Sequence, residues 1–396
     1  MSDPTKPSGQ ETRLIHTGRD PQAFGGAVNV PPFRASTILF PTLDALESHD
    51  PTFHAVRYGR TGTPGSHAFE EAVAELEGGY RAVSFGSGLA AVTVCLFAFA
   101  RTGGHILVTD SAYGPTRDFC MRDLARYGVE TEFYDPRIGA GIAELIRPET
   151  TLILMESPGS LTFEVQDLPA ISAAARARGV TVLIDSTWAA GIYHKPLALG
   201  ADVVIHAATK YMVGHADAFL GVAVCTEESW KRVKLTAVSL GQSAGADDLF
   251  LGLRGLRTLA VRLRRHEATG LALARWLEGR PEVARMLHPG LPSSPDHTIW
   301  KRDFTGASGL FAVELKPVPR AALAAMVDGL SYFGMGYSWG GFESLVLPSD
   351  PSRQRKAVPW DGKGPLIRIH AGLEEPDDLI RDLEAGFDRL NRTATP

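Results

Sequence analysis

The chain has 396 residues, 44% of them hydrophobic and 21% charged, and is long enough for two or three domains with sizeable cores. Its net charge of −5, without a long basic run, argues against a nucleic-acid partner, and no apolar stretch approaches the length of a membrane span. The polar N-terminus lacks the hydrophobic core of a signal peptide, and the three cysteines and twelve histidines lack metal-type spacing. We therefore expect a cytoplasmic protein without membrane contact or a metal site.

Residues up to about Gln10 are expected to form a mobile tail. The region up to residue 64 shows little periodicity and many turn formers, so we predict an arm at 1–64 that packs on a neighbouring subunit. Within it, Tyr58 and Arg60 are two residues apart on a segment predicted to be extended, where their side chains point the same way. An arginine fork suits phosphate oxygens, although the spacing alone favours a solvated arginine beside a packed tyrosine.

A helix is predicted over 66–76 with Ser66 as its N-cap, followed by a strand over 82–85 and a helix over 90–100. The loop G-S-G-L at 86–89 opens that second helix, and a glycine turn before a helix N-terminus suits a phosphate group. The same residues fit G-x-G-x-x-A, with Asp110 about 20 residues further on, which is typical of a dinucleotide site. We prefer the phosphate loop, because the dinucleotide pattern explains none of the polar residues further along the chain.

Strands then alternate with helices, which predicts a mostly parallel sheet with helices on both faces. The predicted strands cover 105–109, 130–134, 151–155, 180–184, 203–205 and 221–225, and the predicted helices cover 138–146 and 168–178. One long helical stretch is predicted over 249–277. We place a domain boundary near Arg257, giving a large domain at 65–257 and a small α+β domain at 258–396. The small domain has predicted strands around 310–314 and 366–370 and helices over 319–330 and 376–390.

Two polar residues stand where neighbouring strands end: Asp185 closes 180–184, and Lys210 follows 203–205. The carboxyl ends of parallel strands border the crevice in which ligands bind, so we expect a carboxylate and an amine in one crevice. Pyridoxal phosphate (PLP) needs this pair, a lysine that bonds to its aldehyde and an acid that keeps its pyridine nitrogen protonated. Such charges are usually solvated, but Lys210 follows the small residues Ala207 and Ala208 and is not part of a charged run.

Three further features indicate chemistry. Tyr113 lies in a turn-rich loop after a strand, where its ring could cover the pyridine or simply be packed. Arg368 lies inside the apolar strand L-I-R-I-H, where a bidentate carboxylate is its best partner and a structural salt bridge is the alternative. The loop G-Y-S-W-G-G at 336–341 has glycines on both sides of its aromatic residues, which is typical of a tight turn near another group.

Four motifs carry a resemblance to a known family. R-Y-G-R-T-G-T-P (57–64), I-D-S-T-W-A-A-G (184–191), A-A-T-K-Y-M-V-G-H (207–215) and G-Y-S-W-G-G-F-E-S-L (336–345) resemble the PLP-dependent enzymes of cysteine and methionine metabolism, in the expected order. The resemblance extends from about residue 12 to about residue 390. It implies the α/β fold of the fold-type-I PLP-dependent transferases, which has a mostly parallel seven-stranded sheet with helices on both faces, a smaller C-terminal α+β domain and an extended N-terminal arm.

The resemblance also implies roles for individual residues. Lys210, Asp185 and Tyr113 are the implied catalytic residues, which respectively bond to PLP, pair with its N1 atom and stack on its ring. The implied phosphate ligands are Gly88, Leu89 and Thr209, with Tyr58 and Arg60 reaching across from a neighbouring subunit, so the protein is expected to be a homo-oligomer, at least a dimer and most consistent with a tetramer. The implied contacts of a small amino-acid substrate are Tyr58, Tyr113, Tyr337, Ser338, Trp339 and Arg368, the last holding the α-carboxylate. Ser160 stands where the family typically has an asparagine near the ring, and Ala207 where many relatives have a serine.

The loop Y-S-W-G-G stands where γ-acting relatives usually have E-S-L-G-G, and Pro115 and Thr116 follow Tyr113 where methionine γ-lyases carry a cysteine. These differences imply β-elimination, the cleavage of L-cystathionine to homocysteine, pyruvate and ammonia in methionine biosynthesis. A γ-lyase, γ-synthase or sulfhydrylase would share every cofactor residue and remains an alternative. A PLP-binding protein without efficient catalysis is the alternative from a different class.

Overall fold

The structure is a computed structural model that describes residues 9–48, 50 and 53–394. Most of the predicted mobile tail, residues 1–8, lies outside the described residues, and a helix, α1 (Gln10–His16), already begins at Gln10. The arm continues through the short helix α2 (Leu43–Glu47) to the first long helix, α3 (Pro64–Glu77).

Helix α3 begins earlier than predicted, because Thr63 and not Ser66 is its N-cap. The Ser66 backbone N–H donates to Thr63 Oγ1 (3.2 Å), and the Thr63 N–H donates to Ser66 Oγ (2.8 Å). This reciprocal capping box satisfies two amides that the helix itself leaves open, and Pro64 suits the first helical position.

The large domain contains a seven-stranded sheet, as predicted. Its strands are β1 (Arg81–Phe85), β2 (His105–Thr109), β3 (Glu130–Tyr134), β4 (Thr150–Glu156), β5 (Thr181–Asp185), β6 (Val203–His206) and β7 (Gly221–Cys225). Their order across the sheet is β1-β7-β6-β5-β4-β2-β3, and only β7 runs antiparallel to its neighbours. Both faces are buried: along β2, Ile106 and Val108 pack into one core cluster and Leu107 into the cluster on the other face. This explains why the central strands are largely continuous apolar runs without alternation, whereas the edge strand β3 is polar and only partly buried.

Helices cover this sheet: α3, which packs on β1 and β7, together with α4 (Gly88–Phe99), α6 (Leu168–Arg176) and α7 (Glu227–Ser239). The remaining helices of this part of the chain are α5 (Gly114–Asp118, continued by the π-helical segment Phe119–Leu124), α8 (Ala246–Leu256), which packs on α3, and α9 (Leu259–Glu278), which leads into the small domain. The predicted helix over 138–146 is wrong: only a 3₁₀ segment, Gly139–Glu144, forms there. The predicted stretch over 249–277 is two helices that break at Arg257 and Thr258. In the part of the chain that the structure describes, no helix is both long and apolar enough to cross a bilayer.

The small domain contains a second sheet of five strands, β8 (Val283–Leu287), β9 (Leu310–Leu315), β10 (Phe333–Met335), β11 (Ser344–Ser349) and β12 (Leu366–His370), in the order β10-β11-β12-β9-β8. Its helices are α10 (His297–Asp303), α11 (Arg320–Val327) and α12 (Pro376–Ala394). Phe311 of β9 and Phe387 of α12 share one core cluster with Leu273 of α9, so α9 helps to build the small domain. The boundaries 1–64, 65–257 and 258–396 remain predictions.

Candidate active site

A cavity of about 300 Å³ lies between the carboxyl ends of the large-domain strands and β12 of the small domain. It brings together all but two of the predicted site residues: Gly88, Leu89, Tyr113, Ser160, Asp185, Thr209, Lys210, Tyr337, Ser338, Trp339 and Arg368. The two exceptions are Tyr58 and Arg60.

Asp185 and Glu156 form a pair of carboxylates at the ends of neighbouring strands. They are register partners between β5 and β4, and both line the cavity. Asp185 Oδ1 accepts from the N–H (2.9 Å) and the hydroxyl (2.5 Å) of Thr187, while Glu156 Oε2 accepts from the Tyr113 N–H (2.7 Å). Burial raises the pKa of both carboxyl groups, and the neighbouring Asp185 raises that of Glu156 further. A cationic ring nitrogen beside Asp185 would relieve this concentration of buried negative charge.

Lys210 lies in the turn after β6, opposite these acids. Burial and, next, the Arg368 guanidinium lower the pKa of its amine to about 8, against the opposing effect of Asp185. The amine donates to Ser338 Oγ (2.5 Å) and lies 5.5 Å from the centre of the Trp339 ring. An amine that is partly neutral near physiological pH is suited to nucleophilic attack and to proton transfer.

The loop 336–341 of the small domain lies directly against the Lys210 turn. Gly340 has a φ of +87°, and a Cβ there would come within 2.8 Å of the Tyr211 nitrogen and 2.9 Å of the Lys210 carbonyl carbon. The Gly340 N–H donates to His370 Nε2 (3.2 Å), while the Trp339 ring packs 5.4 Å from that of Tyr211. Because only glycine fits, the loop and the lysine backbone are held in fixed contact.

Arg368, on β12, extends into the same cavity and donates to the Ser338 carbonyl (2.8 Å). Burial lowers the pKa of its guanidinium to about 10, so it stays cationic at neutral pH. Tyr113 lies near it: burial and the Glu156 carboxylate raise the pKa of the phenol, and Arg368 opposes that shift. The Tyr113 ring, the Arg368 guanidinium and the Lys210 amine therefore border the same cavity.

The N-terminus of α4 forms the opposite wall. The Ser87 side chain caps the Ala90 N–H (3.1 Å), and the Ser87 carbonyl accepts from Ala91 (3.1 Å), so the amides of Gly88 and Leu89 precede the first intrahelical bond. A Cβ on Gly88 would lie 2.4 Å from the Cβ of Ala207, so glycine allows the helix start to approach β6 closely.

Thr209 also lines the cavity, but its hydroxyl has protein partners. It donates to the Leu220 carbonyl (3.1 Å) and accepts from the Leu220 N–H (2.9 Å). A hydroxyl has one proton to donate, and that of Thr209 is already donated to the Leu220 carbonyl. The predicted contact with a phosphate therefore requires that this proton be shared with a phosphate oxygen, or that the hydroxyl rotate away from Leu220.

Tyr58 and Arg60 line a different cavity, of about 370 Å³. Their segment is not extended as predicted: the Thr61 N–H closes a turn onto the Tyr58 carbonyl (2.9 Å), and Arg60 Nη1 donates to the Val238 carbonyl (2.8 Å). The Arg60 guanidinium lies 6.0 Å from the centre of the Tyr58 ring, so the two side chains are still neighbours. Their role across a subunit interface stays a prediction.

The dinucleotide interpretation is not supported by Asp110. Its carboxylate is buried, and it accepts three backbone N–H groups of residues 356–358 and an ion pair from Arg117 Nη1 (3.0 Å). A ribose hydroxyl would have to displace these partners. The acid that a dinucleotide site would need for the ribose, Asp110, is therefore already occupied by protein partners.

Sequence reasoning missed several residues of the cavity wall, among them Glu156, Ser87 and Phe219. Glu156 carries the same signal that identified Asp185, an acid at the carboxyl end of a parallel strand. Ser87 is a typical helix N-cap. Phe219 has no local signal, because an apolar residue before a strand is usually buried.

The cavity residues suit PLP on chemical grounds: a nucleophilic amine, a buried carboxylate for a ring nitrogen, an aromatic side chain for the ring face, and open helix amides for a phosphate. Two observations support this fit: the chemistry of the side chains and amides that line the cavity, and the close approach of the start of α4 to Ala207, which only glycine at position 88 allows.

Comparisons with known proteins agree with a PLP site in this cavity. The model of the family of Cys/Met metabolism PLP-dependent enzymes matches residues 11–388. A putative cystathionine beta-lyase of Rhizobium johnstonii is 48% identical over 96% of both chains, and the cystathionine beta-lyase MetC of Escherichia coli is 45% identical over 96% of this chain and 98% of its own. The solved structure of cystathionine gamma synthase from Xanthomonas oryzae pv. oryzae has a TM-score of 0.90 at 31% identity, covering 98% of this chain and 100% of that one. The chain belongs to the family of Cys/Met metabolism PLP-dependent enzymes, and PLP is its cofactor.

Proposed function

We propose that this protein is a carbon–sulfur β-lyase that cleaves L-cystathionine to homocysteine, pyruvate and ammonia. The observation that carries the proposal is the meeting of the Lys210 amine, the Arg368 guanidinium and the Ser338–Trp339 loop in one cavity. The two relatives at 48% and 45% identity, both named for cystathionine beta-lyase, support this substrate.

The residues proposed to hold PLP are those on the large-domain wall. Asp185 pairs with the ring nitrogen, Tyr113 covers the ring, and the amides of Gly88 and Leu89, with Thr209, bind the phosphate. When bound, PLP supplies an aldehyde for the substrate amine and a ring that accepts the electron pair left at the α-carbon.

The proposed substrate contacts lie on the small-domain wall. Arg368 binds the α-carboxylate, because a guanidinium fork matches a carboxylate and the surrounding protein leaves it charged. The Ser338 carbonyl already fixes one Arg368 nitrogen at 2.8 Å, which orients the fork before substrate enters. Tyr58, Tyr113, Tyr337 and Ser338 complete the proposed contacts.

Lys210 is proposed to move the proton of the reaction. With its pKa of about 8, the free amine can accept a proton from the α-carbon and donate one to the departing sulfur at near-neutral pH. β-Elimination needs only these two transfers, which a single amine can carry out. Trp339, whose ring centre lies 5.5 Å from that amine, is proposed to line the carboxylate site with Arg368 and Ser338.

We also propose that the active unit is a homo-oligomer, at least a dimer and in its full form a tetramer, in which Tyr58 and Arg60 reach the PLP phosphate of a neighbouring subunit. The proposal is supported by their position, since both residues line a cavity separate from that of Lys210. A cytoplasmic location likewise remains a proposal.

The deciding experiment is incubation of the purified PLP-loaded protein with L-cystathionine, followed by identification of the keto acid and the thiol. Pyruvate with homocysteine is expected. 2-Oxobutyrate with cysteine would keep the cofactor site but refute β-elimination. Formation of no keto acid would favour a synthase or a non-catalytic PLP-binding protein.

A further inference from the structure

The connection between β11 and β12, residues 350–365, crosses from the small domain to the large domain and back. We refer to these residues as the strap. The two strands that it joins belong to the small sheet, and β12 carries Arg368. A hairpin connection of this length usually projects into solvent, whereas the strap is fixed at both ends of its course.

The first fixed point is Asp110, which immediately follows β2 in the large domain. Its carboxylate accepts the backbone N–H groups of Lys356 (2.9 Å), Ala357 (2.8 Å) and Val358 (2.9 Å). Arg117 pairs with the same carboxylate at 3.0 Å, and both side chains belong to residues only 1% exposed. A buried charge with this many partners is costly to remove, because loss of the Asp110 carboxylate would deprive three backbone N–H groups and the Arg117 guanidinium of a shared acceptor.

The strap also contacts the two loops that wall the cavity. The side chain of Gln354 lies against Gly114, so that a Cβ there would meet its Nε2 at 3.0 Å, and Gly114 directly follows Tyr113. Arg355 forms an ion pair with Glu164 in which both side chains are nearly buried. Glu164 in turn accepts the Gly159 N–H on its carbonyl (2.9 Å), in the loop that contributes Ser160 to the cavity.

The second fixed point returns the strap to the small sheet. The N–H groups of Lys363 and Gly364 donate to Glu314 Oε1 at 2.7 and 3.3 Å. Glu314 lies on β9, directly beside β12, where Leu366 is its register partner. The strap therefore links the loop of Tyr113 to the strand of Arg368 through backbone hydrogen bonds at both ends.

From this geometry we propose that Asp110 is a positioning residue: by binding the strap, it fixes the Tyr113 loop relative to Arg368 and so sets the width of the cavity between the ring wall and the carboxylate-binding wall. The inference rests on the proposed function, since the width matters only if Arg368 holds the substrate. Lys210, Asp185 and the amides of Gly88 and Leu89 are positioned by other elements, so the covalent attachment of PLP and the binding of its phosphate do not require the strap, which acts on PLP only through the Tyr113 ring. A loosened strap then weakens substrate binding more than the chemical steps.

The test compares Asp110→Asn with Asp118→Asn, an exposed acid on the neighbouring helix that undergoes the same change of charge. In Asp110→Asn, one carboxylate oxygen is replaced by an amide nitrogen, which is a donor. In the place of Oδ2 this nitrogen cannot accept the three strap N–H groups that converge there, and in the place of Oδ1 it faces the Arg117 guanidinium and removes the ion pair that holds the side chain against the strap. Val358→Pro removes one of these N–H groups and leaves the Asp110–Arg117 pair intact, which keeps the test possible if the first variant fails to fold. Val358 already precedes Pro359, so its backbone is biased to the extended conformation that proline adopts.

Two measurements are made on each variant. Hydrogen–deuterium exchange of the cofactor-free protein reports the strap itself: over 354–358, we expect exchange about tenfold faster in Asp110→Asn, somewhat less in Val358→Pro and no change in Asp118→Asn. With PLP bound, we expect the KM for L-cystathionine to rise about tenfold while kcat falls less than about threefold and the PLP absorbance stays that of the wild type.

An unchanged exchange rate in both strap variants would overturn the role of Asp110 in holding the strap. Faster exchange with an unchanged KM, or with kcat and PLP content lost in parallel, would show that the contact is structural and does not position the substrate walls. A wild-type protein that releases no pyruvate would refute the proposed function, and the exchange result would still stand on its own.

Discussion

Substitution of Gly88 by alanine should weaken PLP binding without unfolding the protein. The added Cβ would lie 2.4 Å from the Ala207 Cβ and 2.8 Å from its Cα, whereas non-bonded carbon atoms prefer about 3.5 to 4.0 Å. The start of α4 must therefore move away from β6 by roughly 1 Å. Crowding of this kind costs about 1 to 3 kcal/mol, partly offset by the gain of about 0.5 to 1 kcal/mol when alanine replaces glycine in a helix.

The larger effect falls on the phosphate. A hydrogen bond to a charged group contributes about 1.5 to 3 kcal/mol, and each 1.4 kcal/mol is a factor of ten in affinity. Misplacing one amide of the pair Gly88 and Leu89 should therefore raise the Kd for PLP about 10- to 100-fold. The measurement is an absorbance titration of the cofactor-free protein with PLP, accompanied by a thermal melt.

The matched control is Gly86→Ala, two residues earlier in the same turn, where the new Cβ would meet only the Ser243 carbonyl oxygen at 3.7 Å. Its Kd should equal that of the wild type. Adding Ala207→Gly to Gly88→Ala removes the nearest atom of the clash and should recover part of the affinity. If Gly88→Ala binds PLP as tightly as Gly86→Ala, the phosphate does not lie at this helix start and the assignment of the loop is wrong.

Three further outcomes are expected. Lys210→Ala should lose covalent attachment of PLP and nearly all turnover, measured by absorbance and by pyruvate release, and retention of both would refute the assignment of this lysine. Arg60→Ala should weaken PLP retention about tenfold in the assembled protein while the melting temperature changes little, because the loss within the described residues is one hydrogen bond, to the Val238 carbonyl; unchanged PLP occupancy would remove the cross-subunit role. The rate of PLP uptake should rise with pH and level off above about pH 8, because burial lowers the pKa of the Lys210 amine to about 8 and only the neutral amine attacks an aldehyde; a rate that keeps rising toward pH 10.5 would indicate an ordinary, solvated lysine.

Strands whose two faces are both buried were accessible to sequence reasoning. The bounds of β2 and β7 agree with the predicted ranges, because continuous apolar runs bounded by turn residues admit few other structures. The bounds of β3 and β12 also agree, although β3 is polar and only partly buried and β12 carries Arg368. The predicted helix over 138–146 failed, since two glycines in the run weaken a helix and only the 3₁₀ segment Gly139–Glu144 forms. β8, β10 and β11 were missed because they are only partly buried, and β10 and β11 also contain a glycine or a proline.

The same distinction applies to the site. Asp185 and Lys210 could be assigned because strand ends of a parallel sheet converge on one crevice. The contact between Asp110 and the strap could not, because it joins residues 246 to 248 positions apart through backbone N–H groups, which every residue type except proline offers. From the sequence, Asp110 fitted the acid of a dinucleotide-binding pattern. Its buried hydrogen bonds to residues 356–358 and its ion pair with Arg117 show that it binds the strap instead.

The contact at Gly340 has a consequence for altering what the enzyme accepts. Tyr337, 88% exposed at the cavity rim, has room for side chains of many sizes, whereas Gly340, three positions later, allows none because the backbone of the cofactor lysine occupies the space of a Cβ. A randomised library over this loop should therefore yield folded clones with varied residues at 337, whose substrate preference then tests the proposed contact of Tyr337, and with glycine alone at 340. In directed evolution toward bulkier thioethers, position 337 of this six-residue loop can therefore be varied, whereas position 340 must stay glycine.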